Sequence, residues 1–146
     1  MNLSNAFETA LIKLLFQNIA IALIGDAAGL QPSAVAGSLH ISLHTADPGE
    51  AGAQNTSEAT YTGYARIPVA RAAAQWPESG GATENANVIT FGLCTAGSET
   101  ITHIAIGASL SGAGLVIASG ALSAPLAVSP GITPSLAVGA LDFAAQ

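Results

Sequence analysis

The chain predicts a mainly β fold, an antiparallel β-sandwich or partly closed barrel of about seven or eight short strands behind an N-terminal α-helix. Three observations predict it. Apolar and polar residues alternate over 39–44 and again over 100–107, the period-2 pattern of a strand with one buried face. Turn-forming Gly, Pro, Asn and Asp recur between such runs, at spacings of about 8–12 residues. Helical periodicity is confined to the first part of the chain, and no repeat, heptad run or linker divides it. The length prior then gives one domain over residues 1–146.

Residues 3–18 read as the helix. Asn5 followed by Glu8 predicts a cap with an acid in the first turn, and Phe7, Leu11, Leu14, Leu15 and Asn18 fall on one face. Ile12 and Phe16 then point elsewhere, so the helix is expected to bury apolar surface against a partner subunit as well as its own sheet. Residues 19–24 extend the helix or form a short strand, and 29–38 carry loop punctuation. The first clear strand, 39–44, places Leu39, Ile41 and Leu43 opposite His40, Ser42 and His44. Asp47-Pro48-Gly49 then opens a long polar loop over 46–60.

A strand is expected to resume over 60–69 and run on to Ala73, with Trp76-Pro77 ending it. Residues 78–84 read as a turn or loop, 87–91 as a short strand, and 100–107 as the clearest later strand. A Gly-rich connection over 109–114 leads into 115–122, and short strands follow over 126–129 and 135–143. Proline lacks the N–H that a ladder needs, so Pro68 and Pro125 are expected on sheet edges if they lie inside strands.

Composition narrows the function. Only 8% of residues are charged, against about 25% in an ordinary soluble domain. A chain so poor in charge is expected to cover its surface with other protein, as in a homo-oligomer or a shell. Lys13, Arg66 and Arg71 are the only cations and the net charge is −6. Three dispersed cations cannot neutralise a phosphate backbone, which argues against nucleic acid. The apolar run 10–24 is interrupted by Lys13, Gln17 and Asn18 and is shorter than the ~20 residues that span a bilayer, which argues against a membrane segment. Glu8 before it and Asp26 after it fit a signal peptide poorly, so a soluble protein made inside the cell is expected. Cys94 is the only cysteine and reads as a small buried hydrophobe.

No catalytic constellation emerges. His40 and His44 form an H-x3-H pair, but along a strand they lie about 13 Å apart and cannot share one metal ion. With His103 they read as solvated or interface histidines, with a sub-neutral pH effect on assembly open to them. Residues 107–114 lack the Gly-Lys-Ser/Thr of a phosphate loop and read as a flexible hairpin connection. Asp47, Glu50 and Glu58 do not have the spacing of a calcium loop and read as a solvated or partner-facing acidic surface. No G-x-S-x-G elbow anchors a hydrolase triad. The expectation is a non-enzyme without cofactor or metal, a small binding module or hydrolase being the weaker alternatives.

Leu43-His-Thr-Ala-Asp-Pro-Gly-Glu50, Tyr61-Thr-Gly-Tyr-Ala-Arg66, His103-Ile-Ala-Ile-Gly107, the run 119–129 and Gly131-Ile-Thr-Pro134 carry a resemblance. Over most of its length the chain resembles a family of small structural proteins of tailed bacteriophages and prophages, often labelled tail fibre or virion structural proteins. The resemblance implies a virion component made in the host cytoplasm, with no active site to carry over. Its partners would be further copies of itself, in a trimer for instance, and the major capsid protein or tail proteins of the same particle. Compact length favours a capsid decoration or cement protein, and the family label favours the alternative, a tail or tail-fibre component that meets the host. The expected interface comprises Phe7, Leu11 and Leu14 on the helix, Asp47, Pro48 and Glu50 in the loop, and Tyr61, Tyr64 and Arg66 beyond it.

Overall fold

The alternating run that begins the β region does form a strand, and two of its polar residues, Ser42 and His44, are as buried as its apolar ones. In the computed structural model, which describes residues 2–145, β1 (Ser38–His44) buries Ser42 and His44 as well as Leu39, Ile41 and Leu43. The elements run α1 (Asn5–Gln17), β1, β2 (Ile67–Ala70), β3 (Glu78–Ser79), β4 (Ala82–Glu84), β5 (Ile89–Thr90), β6 (Glu99–Gly107), β7 (Val116–Val128), β8 (Ser135–Leu136) and β9 (Asp142–Ala144). The fold is mainly β with an N-terminal helix, as expected, but the described residues hold nine strands, several only two or three residues long. They form sheets ordered β2-β1-β6-β7, β3-β4-β9 and β5-β8, none closed into a barrel.

The chain forms two compact units. One takes the described residues of Met1–Ser38, Ala70–Val88 and Leu136–Gln146; the other takes Leu39–Val69 and Ile89–Ser135.

In the first unit α1 packs on β3 and β4. Ser4, one residue before the expected cap, accepts from the Phe7 amide at 3.3 Å, and Asn18 ends the helix in the left-handed region at φ 58°. The helix face is also corrected. Ile12 and Phe16 are the fully buried positions, whereas Phe7, Leu11, Leu14 and Leu15 are half-buried. Phe16 meets Trp76 edge to face at 5.1 Å and Phe143 at 5.0 Å, so one aromatic cluster fastens helix to sheet. Arg71 donates to the carbonyls of Leu14 and Leu15, which the helix leaves unpaired, and to Ala36 O at 3.1 Å. Residues 78–84 are a tight β3–β4 hairpin rather than a loop. Gly80 and Gly81, at φ 62° and 81°, adopt the left-handed geometry that a two-residue hairpin turn demands.

In the second unit β6 lies between β1 and β7, antiparallel to both. The expected strands at 115–122 and 126–129 are one strand, β7, with a bulge where residues 122–125 oppose Thr102 alone. Pro125 sits in that bulge on edge strand β7, and Pro68 lies in the opposite edge strand β2, where the missing N–H costs no ladder bond. Residues 60–66 are not strand. The Tyr61-Thr-Gly-Tyr segment turns at Gly63 (φ 104°), with Tyr64 N donating to Tyr61 O at 3.0 Å. Alternation of aromatic and small residues there reflects a turn that buries one tyrosine and half-buries the other. Cys94 is fully buried, in keeping with a small core residue. No helix among the described residues is long and apolar enough to cross a membrane.

Candidate functional site

The long loop, residues 46–60, is where sequence and structure differ most. Its middle folds back over the β1–β6 face that carries His40, Ser42 and His44. Gln54 is fully buried, donates to His40 O at 3.0 Å and accepts from Ser109 N at 3.1 Å. Its backbone donates to Gly114 O at 2.8 Å, and Ala59 N donates to Leu43 O at 2.9 Å. Gly107 and Gly114 make room for this side chain. A Cβ on Gly107 would stand 2.1 Å from the Gln54 carboxamide carbon, so only glycine fits there. The loop is therefore part of the packing of its unit.

Glu58 closes the loop. It was expected on a solvated or partner-facing surface, yet its side chain is 15% exposed and forms a two-pronged ion pair with Arg66, whose side chain is 2% exposed. Arg66 Nε and Nη2 reach the two carboxylate oxygens at 2.6 and 2.7 Å. Nη1 donates to Ser109 O at 2.9 Å and Nη2 also to Gly112 O at 2.7 Å, so the guanidinium ties the loop to the Gly-rich connection. The hydrogen bonds that Arg66 donates to Glu58 raise the Arg66 pKa further. The Tyr64 hydroxyl donates to Glu58 Oε1 at 2.8 Å and accepts from Leu43 N at 3.1 Å, and burial raises its pKa.

Beside it, Glu99 accepts from the amides of Thr60 and Tyr61, both at 2.9 Å. Tyr61 donates to Gly92 O at 3.0 Å and meets the Tyr64 ring edge to face at 5.4 Å. Burial pushes its hydroxyl up to about 12.

The histidines do not make a metal centre. His44 is fully buried rather than solvated, with Nδ1 2.9 Å from Thr56 O and Nε2 2.9 Å from Ser42 Oγ, so both ring nitrogens are engaged. His103 lies opposite it across the sheet and bonds Thr102 Oγ1 at 2.9 Å. No cluster of three or more His, Cys, Asp or Glu positioned for a metal ion occurs among the described residues.

Of the expected interface residues, the structure joins Tyr61, Tyr64 and Arg66 into one network and keeps Asp47 and Glu50 together on the surface. Tyr61 and Arg66 are each 4% exposed, and their polar groups are engaged within the chain. Asp47 and Glu50 are exposed beside a cleft of about 450 Å³ shared with Val116–Ser119, and Pro48 is buried. The Gly49 amide holds the Asp47 carboxyl below the usual carboxylate range, with Ser119 Oγ at 3.3 Å assisting. Phe7, Leu11 and Leu14 belong to the other unit and are half-buried there. Sequence reading missed Gln54, Glu99 and the Glu58–Arg66 pair. The signal for the pair was present, since Arg66 is the only cation in residues 39–70 and Glu58 precedes it by eight positions.

The half-buried Glu58 carboxylate and Tyr64 phenol and the buried Arg66 guanidinium thus hold loops in place. A β-rich scaffold of this kind fits the structural proteins of phage particles, and comparison with known families bears on that class. The model of the family described as Podophage GP4 fiber I protein gp80 matches residues 2–144, and the chain belongs to that family. This supports a phage fibre component, hence a virion structural protein, and it favours the tail-fibre alternative over capsid decoration. No curated protein matches the chain significantly.

Proposed function

We propose that this protein is a non-enzymatic building block of a phage tail fibre, assembling with further copies of itself and with tail proteins of the same particle. The observation that carries this reading is the fibre-family match over nearly the whole chain. The surface supports it: charge is scarce, and Leu23, Val35 and Leu115 stand 79%, 81% and 70% exposed. Apolar side chains left outside a low-charge domain are typical of surfaces that meet other protein. A stable contact buries about 800 Å² on each partner, and repetition along a fibre multiplies weak contacts. In this reading Phe7, Leu11 and Leu14, with Asp47 and Glu50, lie at contacts between copies. Tyr61, Tyr64 and Arg66 act behind the surface by fixing the loop that presents the two acids. The chain is synthesised in the host cytoplasm.

Light scattering on the purified protein tests the proposal. A mass of several chains, three for a trimer, is expected at micromolar concentration. A strict monomer at high concentration that also fails to bind fibre-less particles would overturn it.

A further inference from the structure

Asp47 and Glu50, placed at a contact between copies, restrict what the next copy can bring to them. A two-fold contact that set their cleft against its own counterpart would bring two pairs of exposed carboxylates together, on a chain of net charge −6. The two acids call for a cation, and the chain has only Lys13, Arg66 and Arg71.

The arginines are spent inside the chain. Every guanidinium nitrogen of Arg66 donates to Glu58, Ser109 O or Gly112 O. Those of Arg71 donate to the carbonyls of Leu14, Leu15 and Ala36 and to Ser33 Oγ. Lys13 differs. Its side chain is 41% exposed, and its Nζ stands 3.5 Å from Glu78 Oε2, longer than a charge-assisted hydrogen bond. Glu78 does not depend on it, because Oε1 accepts from Thr9 Oγ1 at 2.8 Å and from Gly81 N at 3.0 Å. Lys13 also borders the half-buried Phe7, Leu11 and Leu14, which lie on the side of α1 away from Ile12 and Phe16. A two-fold contact of α1 with α1 would leave the acids unmet.

We propose that copies join head to tail: the outer face of α1 seats on the Asp47–Glu50 cleft of the next copy, and the Lys13 ammonium enters between the two carboxylates. The cleft, about 450 Å³, also offers half-buried Val116, Ile117 and Ala118 to the apolar side chains of the helix. This contact rests on the fibre reading above and adds the order in which copies meet. Unlike surfaces that join in this way build rings or open filaments instead of closed pairs, as a fibre requires.

Charge exchange followed by analytical ultracentrifugation of the full chain provides the test. Lys13→Glu alone, and Asp47→Asn with Glu50→Lys, should each weaken association by about tenfold, through like charges set against each other. Asparagine keeps the acceptor that the Gly49 amide uses, so the turn survives. A chain carrying all three changes, and an equimolar mixture of the two variants, should both regain association. Glu84→Lys with Asp142→Lys, which reverses the exposed acids of another cleft, should not rescue Lys13→Glu. If Lys13→Glu does not fold, Lys13→Gln replaces it and must lower both association and its salt dependence. Reversals without effect, a combined chain or mixture as weak as the variants alone, or rescue through Glu84 and Asp142 would each overturn the head-to-tail contact and leave the fibre reading standing. A wild-type chain that stays monomeric at high concentration overturns the contact too, and the fibre reading falls with it only if the chain also fails to bind fibre-less particles.

Discussion

The two arginines show how differently the two units are held together. In the unit containing α1, Arg71 donates to backbone carbonyls at the end of a helix whose main anchor is aromatic packing of Phe16 on Trp76 and Phe143. In the unit built on β1, β6 and β7, Arg66 donates to loop carbonyls while paired with the half-buried Glu58 carboxylate, and Gln54 of the loop and His44 beneath it are fully buried. The first unit buries Thr83 and the Asn85 amide among its apolar residues. The second buries a guanidinium, an amide and an imidazole, which makes it more exposed to disruption by a single polar change, because each deletion strands a partner.

This contrast is best broken at the loop. Deleting Ala51–Ser57 removes Gln54 and Thr56 together, and should cost the second unit its cooperative unfolding transition, measured by circular dichroism on heating. A cooperative transition at wild-type temperature would show the loop to be dispensable. Next in size, Arg66→Ala leaves the half-buried Glu58 carboxylate without its partner and should destabilise by up to about 3–5 kcal/mol in urea unfolding. Arg71→Ala should cost about 1–2 kcal/mol, the scale of a cation at a helix C-terminus. Equal losses would erase the distinction between the arginines.

Within the first unit, Phe16→Ala should cost about 3–5 kcal/mol through the cavity it opens, and Ser4→Ala only about 1 kcal/mol through the lost cap. Acid sharpens the comparison most gently. His40 and His44 both have pKa values lowered chiefly by burial, so their neutral forms belong to the folded state. Their contribution to stability is present above the unfolded value of about 6.5 and is lost as pH falls through the folded values. Urea midpoints at pH 7.5 and 5 should therefore decline in the wild type and decline less in His44→Gln.

Much of the architecture was legible because periodicity reports burial directly. The strands β1 and β6 follow from alternation, the edge placement of Pro68 and Pro125 from the missing N–H, and the burial of Cys94 from its apolar setting. Other features were hidden for physical reasons. Strands of two or three residues, such as β3 and β9, are too short to show a period. Thr60 to Arg66 imitates a strand because a turn can also place aromatic residues at alternate positions. The inward faces of His44, Gln54 and Glu58 depend on Thr56, Ser109 and Arg66, between eight and 55 positions away, which local patterning cannot register. The candidate site was accordingly the least legible part. Tyr61, Tyr64 and Arg66 were singled out as contact residues, and their observed roles are internal hydrogen bonding and packing.

Electron cryo-microscopy of the phage that carries this gene tests the central claim most directly. The account predicts density for this chain, in several copies, within a fibre attached to the tail, with the Glu58–Arg66 network intact inside each copy. Density on the capsid surface alone, or a particle that lacks the chain altogether, would contradict it.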